Sequence, residues 1–245
     1  MRSRLDSEIA RRGLADSRET AQRLIMAGRV RVNSRPADKA DLKVSSETAI
    51  EIVGSDPEYA SRGAYKLIAA LDRFSIEVAG RNALDVGAST GGFTDVLLKR
   101  GAAHVIALDV GYGQLAEKLR IDPRVTVLDR TNIRSVRPGD LPYRPDLVTI
   151  DTSFISLRIV LPAVLALAAP KADIVALVKP QFEVGKGKVG KGGIVRDEAL
   201  RHEALDGIVE FARRLDLEIA GSIDSPIEGA KGNREFLLAM RAQRA

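Results

Sequence analysis

From residue 82 onward the chain repeatedly runs through short segments that are apolar along their whole length: NALDV (82–86), HVIALDV (104–110), VTVLD (125–129), DLVTID (146–151) and IVALVKP (174–180). Helical patterns lie among them, at about 92–99, at GQLAEKL, at 157–169 and at 197–215. Successive strand residues face opposite sides, so a strand that is apolar throughout must be covered twice. Helices on both faces supply that cover, and the pattern predicts an α/β fold built on a mostly parallel sheet. The closing segments EIAGSID (218–224) and EFLLAMR (235–241) lie too close for a helical crossover, so one of them should run antiparallel.

Residues 1–54 read differently. Leu5, Ile9 and Leu14 predict a short helix near Gly13, and Ser17 caps a second that carries Ala21, Leu24 and Ile25 and stops at Gly28. RVRVN and AIEIVG alternate as small strands. The expected organisation is a compact α+β module over 1–54, a polar linker over 55–61 and the larger domain over 62–245. Residues 1–35 hold nine arginines against four acids. Arginine forks match phosphate, although a solvated helix face laced with ion pairs has the same composition. The whole chain carries a formal charge of +5, which agrees with a polyanionic partner.

Other classes are excluded by composition. There is no cysteine for a disulfide framework, thiolate zinc site or thiol nucleophile, and His104 and His202 are too few and too far apart to argue for a metal. Arg2, Arg4, Asp6 and Glu8 interrupt any signal sequence. The longest apolar run, 159–169, falls short of the roughly 20 residues of a spanning helix. A cytoplasmic protein outside the membrane is expected, acting as a monomer.

The turn DVGASTGGFTD (85–95) leaves the first strand of the sheet, at the edge where doubly wound folds bind ligands. Its glycines do not have dinucleotide spacing, and Phe93-Thr94 stands where a P-loop needs Lys-Ser/Thr. Asp85, Asp109, Asp129 and Asp151 close four successive strands. Carboxylates in that position suit S-adenosylmethionine, which offers an ammonium, a sulfonium, ribose hydroxyls and an amine but no phosphate. Asp85, Gly87, Ser89, Gly91, Gly92, Asp109 and Asp129 are therefore the candidate cofactor residues, although aspartates at strand ends also cap helices and form turns.

Lys179 ends a very apolar strand, where desolvation would lower its pKa from about 10.4 and fit it for general-base work on an alcohol. Asp151, Lys66 and Glu235 could join it as a cluster for handling protons. The lysine- and glycine-rich stretch 184–197 could form a basic flap over them.

SRGAYKL, DVGASTGGFTDVLL, DRTNIR, IDTSFISL, LVKPQFEVGKGKVGKGGIVRD and SPIEGAKGNREF closely resemble the TlyA family over nearly the whole chain. That resemblance implies a Rossmann-like class I methyltransferase domain of the FtsJ type and an enzyme that methylates ribose 2′-hydroxyls of ribosomal RNA, expected at a cytidine, within ribosomal subunits. It places the family's Lys-Asp-Lys-Glu tetrad on Lys66, Asp151, Lys179 and Glu235, with Lys179 assisting deprotonation, Asp151 and Glu235 holding it, and Lys66 stabilising the oxyanion. S-adenosylmethionine is the implied methyl donor. The N-terminal segment resembles a ribosomal-protein-type RNA-binding fold, which makes Arg4, Arg11, Arg18, Arg23 and Arg29 candidate RNA contacts. Ala64, where a second glycine is common, and VNSRPADKAD depart from the family pattern. A base methyltransferase is disfavoured by the missing cysteine and by IDTSF in place of an Asn/Asp-Pro-Pro-Tyr/Phe motif. The remaining alternatives are a noncatalytic ribosome-binding factor and a membrane-lysing hemolysin, the family's other label.

Overall fold

The computed structural model describes residues 2–26, 28–53, 58–185, 187–190, 192–229 and 232–244; the side chains of Arg2 and Arg23 lie outside that description. Residues 54–57, which include the first three of the expected linker, lie outside it as well. The chain divides into two units, Met1–Glu58 and Tyr59–Ala245.

In the first unit, β1 (Arg2–Arg4), α1 (Leu5–Arg11), α2 (Arg18–Met26), β2 (Val30–Val32), β3 (Arg35–Pro36), β4 (Lys43–Ser45) and β5 (Ile50–Ile52) follow in order. β2 is flanked by β3 and β5, and β1 pairs with β4. Leu5, Ile9, Ala21, Ile25 and Val30 are fully or almost fully buried in its core. The Ser17 hydroxyl accepts from Thr20 N–H, as a helix cap does. Leu14 does not belong to the first helix as expected: it lies past the end of α1 and is 39% exposed.

The second unit continues with α3 (Ala64–Arg73), β6 (Asn82–Val86), α4 (Gly92–Lys99), β7 (His104–Leu108), α5 (Glu117–Arg120), β8 (Val125–Leu128), β9 (Leu147–Ile150), α6 (Leu157–Leu167), β10 (Lys171–Val178), α7 (Pro180–Glu183), α8 (Glu198–Arg214), β11 (Leu217–Asp224) and β12 (Phe236–Gln243). Its seven strands lie in the order β11-β12-β10-β9-β6-β7-β8. β8, β7, β6, β9 and β10 are parallel, and β12 is antiparallel to both β10 and β11. Alternate strand residues serve opposite cores. Leu84, Ile106 and Val148 pack with α6 and α8, whereas Ala83, Val105 and Leu147 pack with α3 and α4. This is the Rossmann-like sheet with helices on both faces. Because strand order reverses between β6 and β9, their carboxyl ends leave a crevice there.

Candidate active site

The turn between β6 and α4 is built around Asp85. The carboxylate is completely buried and accepts from Thr94 Oγ1 at 2.7 Å and Thr149 Oγ1 at 3.0 Å. Burial pushes its pKa up to about 6, the two hydroxyls oppose that rise, and the Asp151 charge adds to it. Asp85 therefore does not present a free carboxylate to a ligand, as the sequence reading expected, but pins the turn from beneath. The glycines also answer to protein. A Cβ on Gly87 (φ +85) would sit 2.5 Å from the Asp151 carbonyl oxygen, and one on Gly91 (φ +95) would sit 2.3 Å from Leu119 Cδ1. A side chain on Gly92 would strike Ser61. Of the three, only Gly87 lines the main cavity at this edge.

That cavity is about 510 Å³, within the range of small-molecule sites. It lies at the ends of β6, β7 and β9, between Asp109 and Asp151, with Ser89, Gln114 and Asn132 as further polar groups and Val110 and Ile133 as apolar ones. Asp109 accepts from Ser89 N–H at 2.8 Å and from Gly111 N–H at 2.7 Å, which fixes a half-exposed carboxylate beside the turn. Size, carboxylate placement and mixed walls fit S-adenosylmethionine. Asp129, expected in the same set, is not among the lining residues. It is engaged by Arg120 and by Gly113 N–H instead.

Strand register brings the chemistry together. Val178 is paired with Phe236 across β10 and β12, so Lys179 and Glu235 leave the sheet side by side. β9 runs parallel on the other side of β10 and ends just before Asp151. Lys179 Nζ lies 2.5 Å from Asp151 Oδ1 and donates to Ser153 Oγ at 3.0 Å. Lys66, in the first turn of α3, donates to Glu235 Oε2 at 2.6 Å. Both lysines are 7% exposed. The tetrad thus forms two pairs, and Glu235 serves Lys66, where the sequence reading had it hold Lys179. Lys179 is paired with Asp151, as the expected cluster had it. Gly229 was not anticipated: a Cβ there would lie 2.1 Å from Glu235 Oε1, so this glycine makes room for the carboxylate. Phe154 was missed too. It lines the cavity, is 91% exposed and has φ +64, an uncommon conformation for a bulky side chain. The sequence did hold a signal for it, the IDTSFISL motif, in which no role was given to the phenylalanine.

The remaining candidates are basic. In the stretch 184–197, Lys188 is 2.6 Å from Glu203, and Lys186 and Lys191 lie outside the described residues. In the first unit, Arg4 and Arg18 both bind the buried Asp6 carboxylate, and Arg11 binds Glu8. These partners hold both carboxyls well below their ordinary range. Arg29 donates to the Val53 carbonyl, and the Arg23 side chain lies outside the described residues. Arg31 and Arg35 are exposed and make no ion pair among the described residues.

Comparison with known proteins agrees with this architecture. The model of the FtsJ-like methyltransferase family matches residues 59–242, and that of the S4 domain matches residues 3–50. A Mycobacterium tuberculosis protein named 16S/23S rRNA (cytidine-2'-O)-methyltransferase TlyA is 54% identical over 99% of this chain and 91% of its own length. Hemolysin A of Brachyspira hyodysenteriae is 40% identical over 96% of this chain and 98% of its own. A solved Streptococcus thermophilus structure classed with the hemolysins is 40% identical, covers 98% of this chain and 88% of its own, and superposes with a TM-score of 0.76. No helix among the described residues is long and apolar enough to cross a membrane. Nor do the described residues hold a group of three or more His, Cys, Asp or Glu side chains that could bind a metal ion.

Proposed function

The chain belongs to the TlyA family, an S4 domain joined to an FtsJ-like methyltransferase, and on that premise we propose that it methylates a ribose 2′-hydroxyl of ribosomal RNA, at a cytidine. The observation that carries this reading is the Lys179–Asp151 pair at the edge of a cavity suited to S-adenosylmethionine. Asp109, Ser89 and Gly87 would hold the cofactor, with the apolar walls at Val110 and Ile133 against its adenine. When bound, it supplies an electrophilic methyl group on a sulfonium.

The chain's own residues handle the other half of the reaction. Lys179, in its neutral form, takes the 2′-hydroxyl proton as the oxygen forms its bond to carbon. Asp151 and Ser153 keep the amine in place and accept from the ammonium that results. Lys66, locked by Glu235, stabilises negative charge developing on the oxygen. Holding ribose and cofactor on one edge supplies the in-line alignment on which such a displacement depends. Phe154 offers an open aromatic face on which an unstacked base can rest. The S4 unit, through Arg31 and Arg35 together with the exposed parts of Arg4, Arg11, Arg18 and Arg29, contacts the RNA backbone. This work belongs in the cytoplasm, where ribosomes are, and requires a single copy of the chain and no metal.

The test is tritium transfer from labelled S-adenosylmethionine to unmodified ribosomal subunits, with Lys179→Ala alongside. Label in an alkali-resistant dinucleotide, lost in the variant, is the expected result. Cofactor binding without label on either subunit would sink the substrate assignment. No cofactor binding, with or without RNA, would favour a noncatalytic ribosome-binding factor.

A further inference from the structure

A second site lies where the loop after α7 returns to α8 and the chain approaches β12. Arg196, Arg201 and Arg234 line a cavity of about 500 Å³ with Ile194, Val195 and Gly232, and no acidic side chain is among those lining residues. Its frame is fastened by the buried Asn233, which accepts from Val195 N–H at 3.1 Å and donates to the Gly193 carbonyl at 3.0 Å.

Arg201 is the unusual member. It is only 9% exposed, and its Nε is buried without a hydrogen-bond partner. Its ion pair with Glu198 spans 4.0 Å and reaches a carboxylate that is 77% exposed. Arg196 and Arg234 are exposed and make no ion pair among the described residues. A buried guanidinium short of acceptors is unfavourable, and the two cationic neighbours add repulsion. An anion with several oxygens relieves both, and forked guanidinium donors match phosphate geometry.

The place of the site matters as much as its charge. An adjoining cavity of about 380 Å³ is lined by Arg201, Arg234 and Glu235, so the arginine wall continues to the carboxylate that holds Lys66. Glu198, Asp224 and Glu228 also line that second cavity and disfavour an anion there, which leaves the cavity whose charged lining residues are all arginine as the seat for one. We infer that it holds a backbone phosphodiester of the RNA whose ribose is presented to Lys179. The inference rests on the reading of the chain as an RNA methyltransferase and adds to it the anchor that sets the register of the strand, since phosphate contacts position without reading sequence.

The experiment uses the full chain and a ribosomal RNA transcript carrying the methylated site. The Kd for RNA is measured across a salt series for the wild type, for the Arg196→Ala/Arg234→Ala double variant and for Arg201→Lys, which keeps the charge and loses the fork. S-adenosylmethionine affinity is measured by calorimetry in parallel. The double variant is expected to bind RNA about tenfold more weakly at low salt, with the slope of log Kd against log salt shallower by about 0.7–0.9 for each phosphate that is no longer neutralised. Its KM for RNA should rise with the Kd while its cofactor affinity stays at the wild-type value. Arg201→Lys should also raise the KM for RNA. Wild-type methylation together with an unaltered salt slope in the double variant would overturn this inference alone. Parallel losses of RNA and cofactor affinity would mean that the arginines support the fold, and would overturn it too. A wild-type chain that neither binds nor methylates ribosomal RNA would remove both the functional reading and this inference.

Discussion

Two lysine–carboxylate pairs stand at the carboxyl edge of the sheet with almost the same geometry, 2.6 Å for Lys66–Glu235 and 2.5 Å for Lys179–Asp151. Both lysine side chains are 9% exposed, but the carboxylates differ: Glu235 keeps 2% of its side-chain surface and Asp151 keeps 25%. The first pair is sealed from the cofactor cavity, with Gly229 pressed against the carboxylate. The second opens on the cavity and has Ser153 as a further partner. Matching distances therefore conceal different tasks. A sealed pair contributes a fixed field and a fixed shape, whereas an open pair can exchange a proton with something that arrives.

The largest effect that tests this contrast is on the open side. Lys179→Ala should lower kcat by about 10²–10⁴-fold, the usual range for losing a general base, with the melting temperature nearly unchanged. A large loss of stability instead would make the open pair structural. On the sealed side, Lys66→Ala leaves a buried carboxylate unpaired and should destabilise the fold by about 3–5 kcal/mol. The double change Lys66→Met/Glu235→Leu should recover most of that stability, because an apolar pair removes the orphaned charge. It should not recover methyl transfer, and full activity in the double variant would reduce the sealed pair to packing.

A third test concerns Asp85, buried beneath the glycine turn. Its folded pKa of about 6 exceeds the ordinary 3.8, so the native state holds the proton more tightly than the unfolded chain does. The resulting stability is fully present below about pH 4 and is lost as pH rises to about 6, beyond which the loss is constant. Between pH 4 and pH 6.5 the wild type should lose about 2–3 kcal/mol relative to Asp85→Asn, read from urea unfolding at each pH. A constant gap would show that the buried carboxyl titrates normally. The smallest effect should come from Ser153→Ala, which removes one acceptor from Lys179. About 1 kcal/mol, or up to about tenfold in kcat, is expected, with no change in cofactor affinity; a shift in that affinity would move Ser153 to the cofactor side of the cavity.

The arginines show where reading the chain in one dimension fails. Residues 1–35 appeared to offer a block of cations, but Arg4, Arg11 and Arg18 are tied to Asp6 and Glu8, buried acids that look like ordinary surface charges in the sequence. Arg196, Arg201 and Arg234 drew no notice because the last is far along the chain from the other two, yet they share one cavity. The glycine turn gives the same lesson. Gly91 and Gly92 marked the turn correctly, but the atoms crowding them belong to Leu119 and Ser61. In the first unit β1, β3 and β4 escaped notice because RSR, RP and KVS carry no alternation of apolar residues, unlike the VRV of β2 and the IEI of β5. Of GQLAEKL (113–119), read as a helix, only the last three residues are helical, within Glu117–Arg120, and Gly113 stands at φ +65.

Local pattern determined most strands and helices of the larger unit, that its sheet is covered on both faces, and that one of its last two strands runs antiparallel. It also placed acids at strand ends and Lys179 past an apolar strand, because each of these properties is written within a few residues. Tertiary structure decided who pairs with whom. The Lys66–Glu235 bond joins positions 169 residues apart in the chain, and it forms because β12 is laid antiparallel beside β10 while α3 packs over the same edge. Such partnerships, and the burial that makes Asp85 a support beneath the turn, depend on register and close packing, which no local window of the sequence contains.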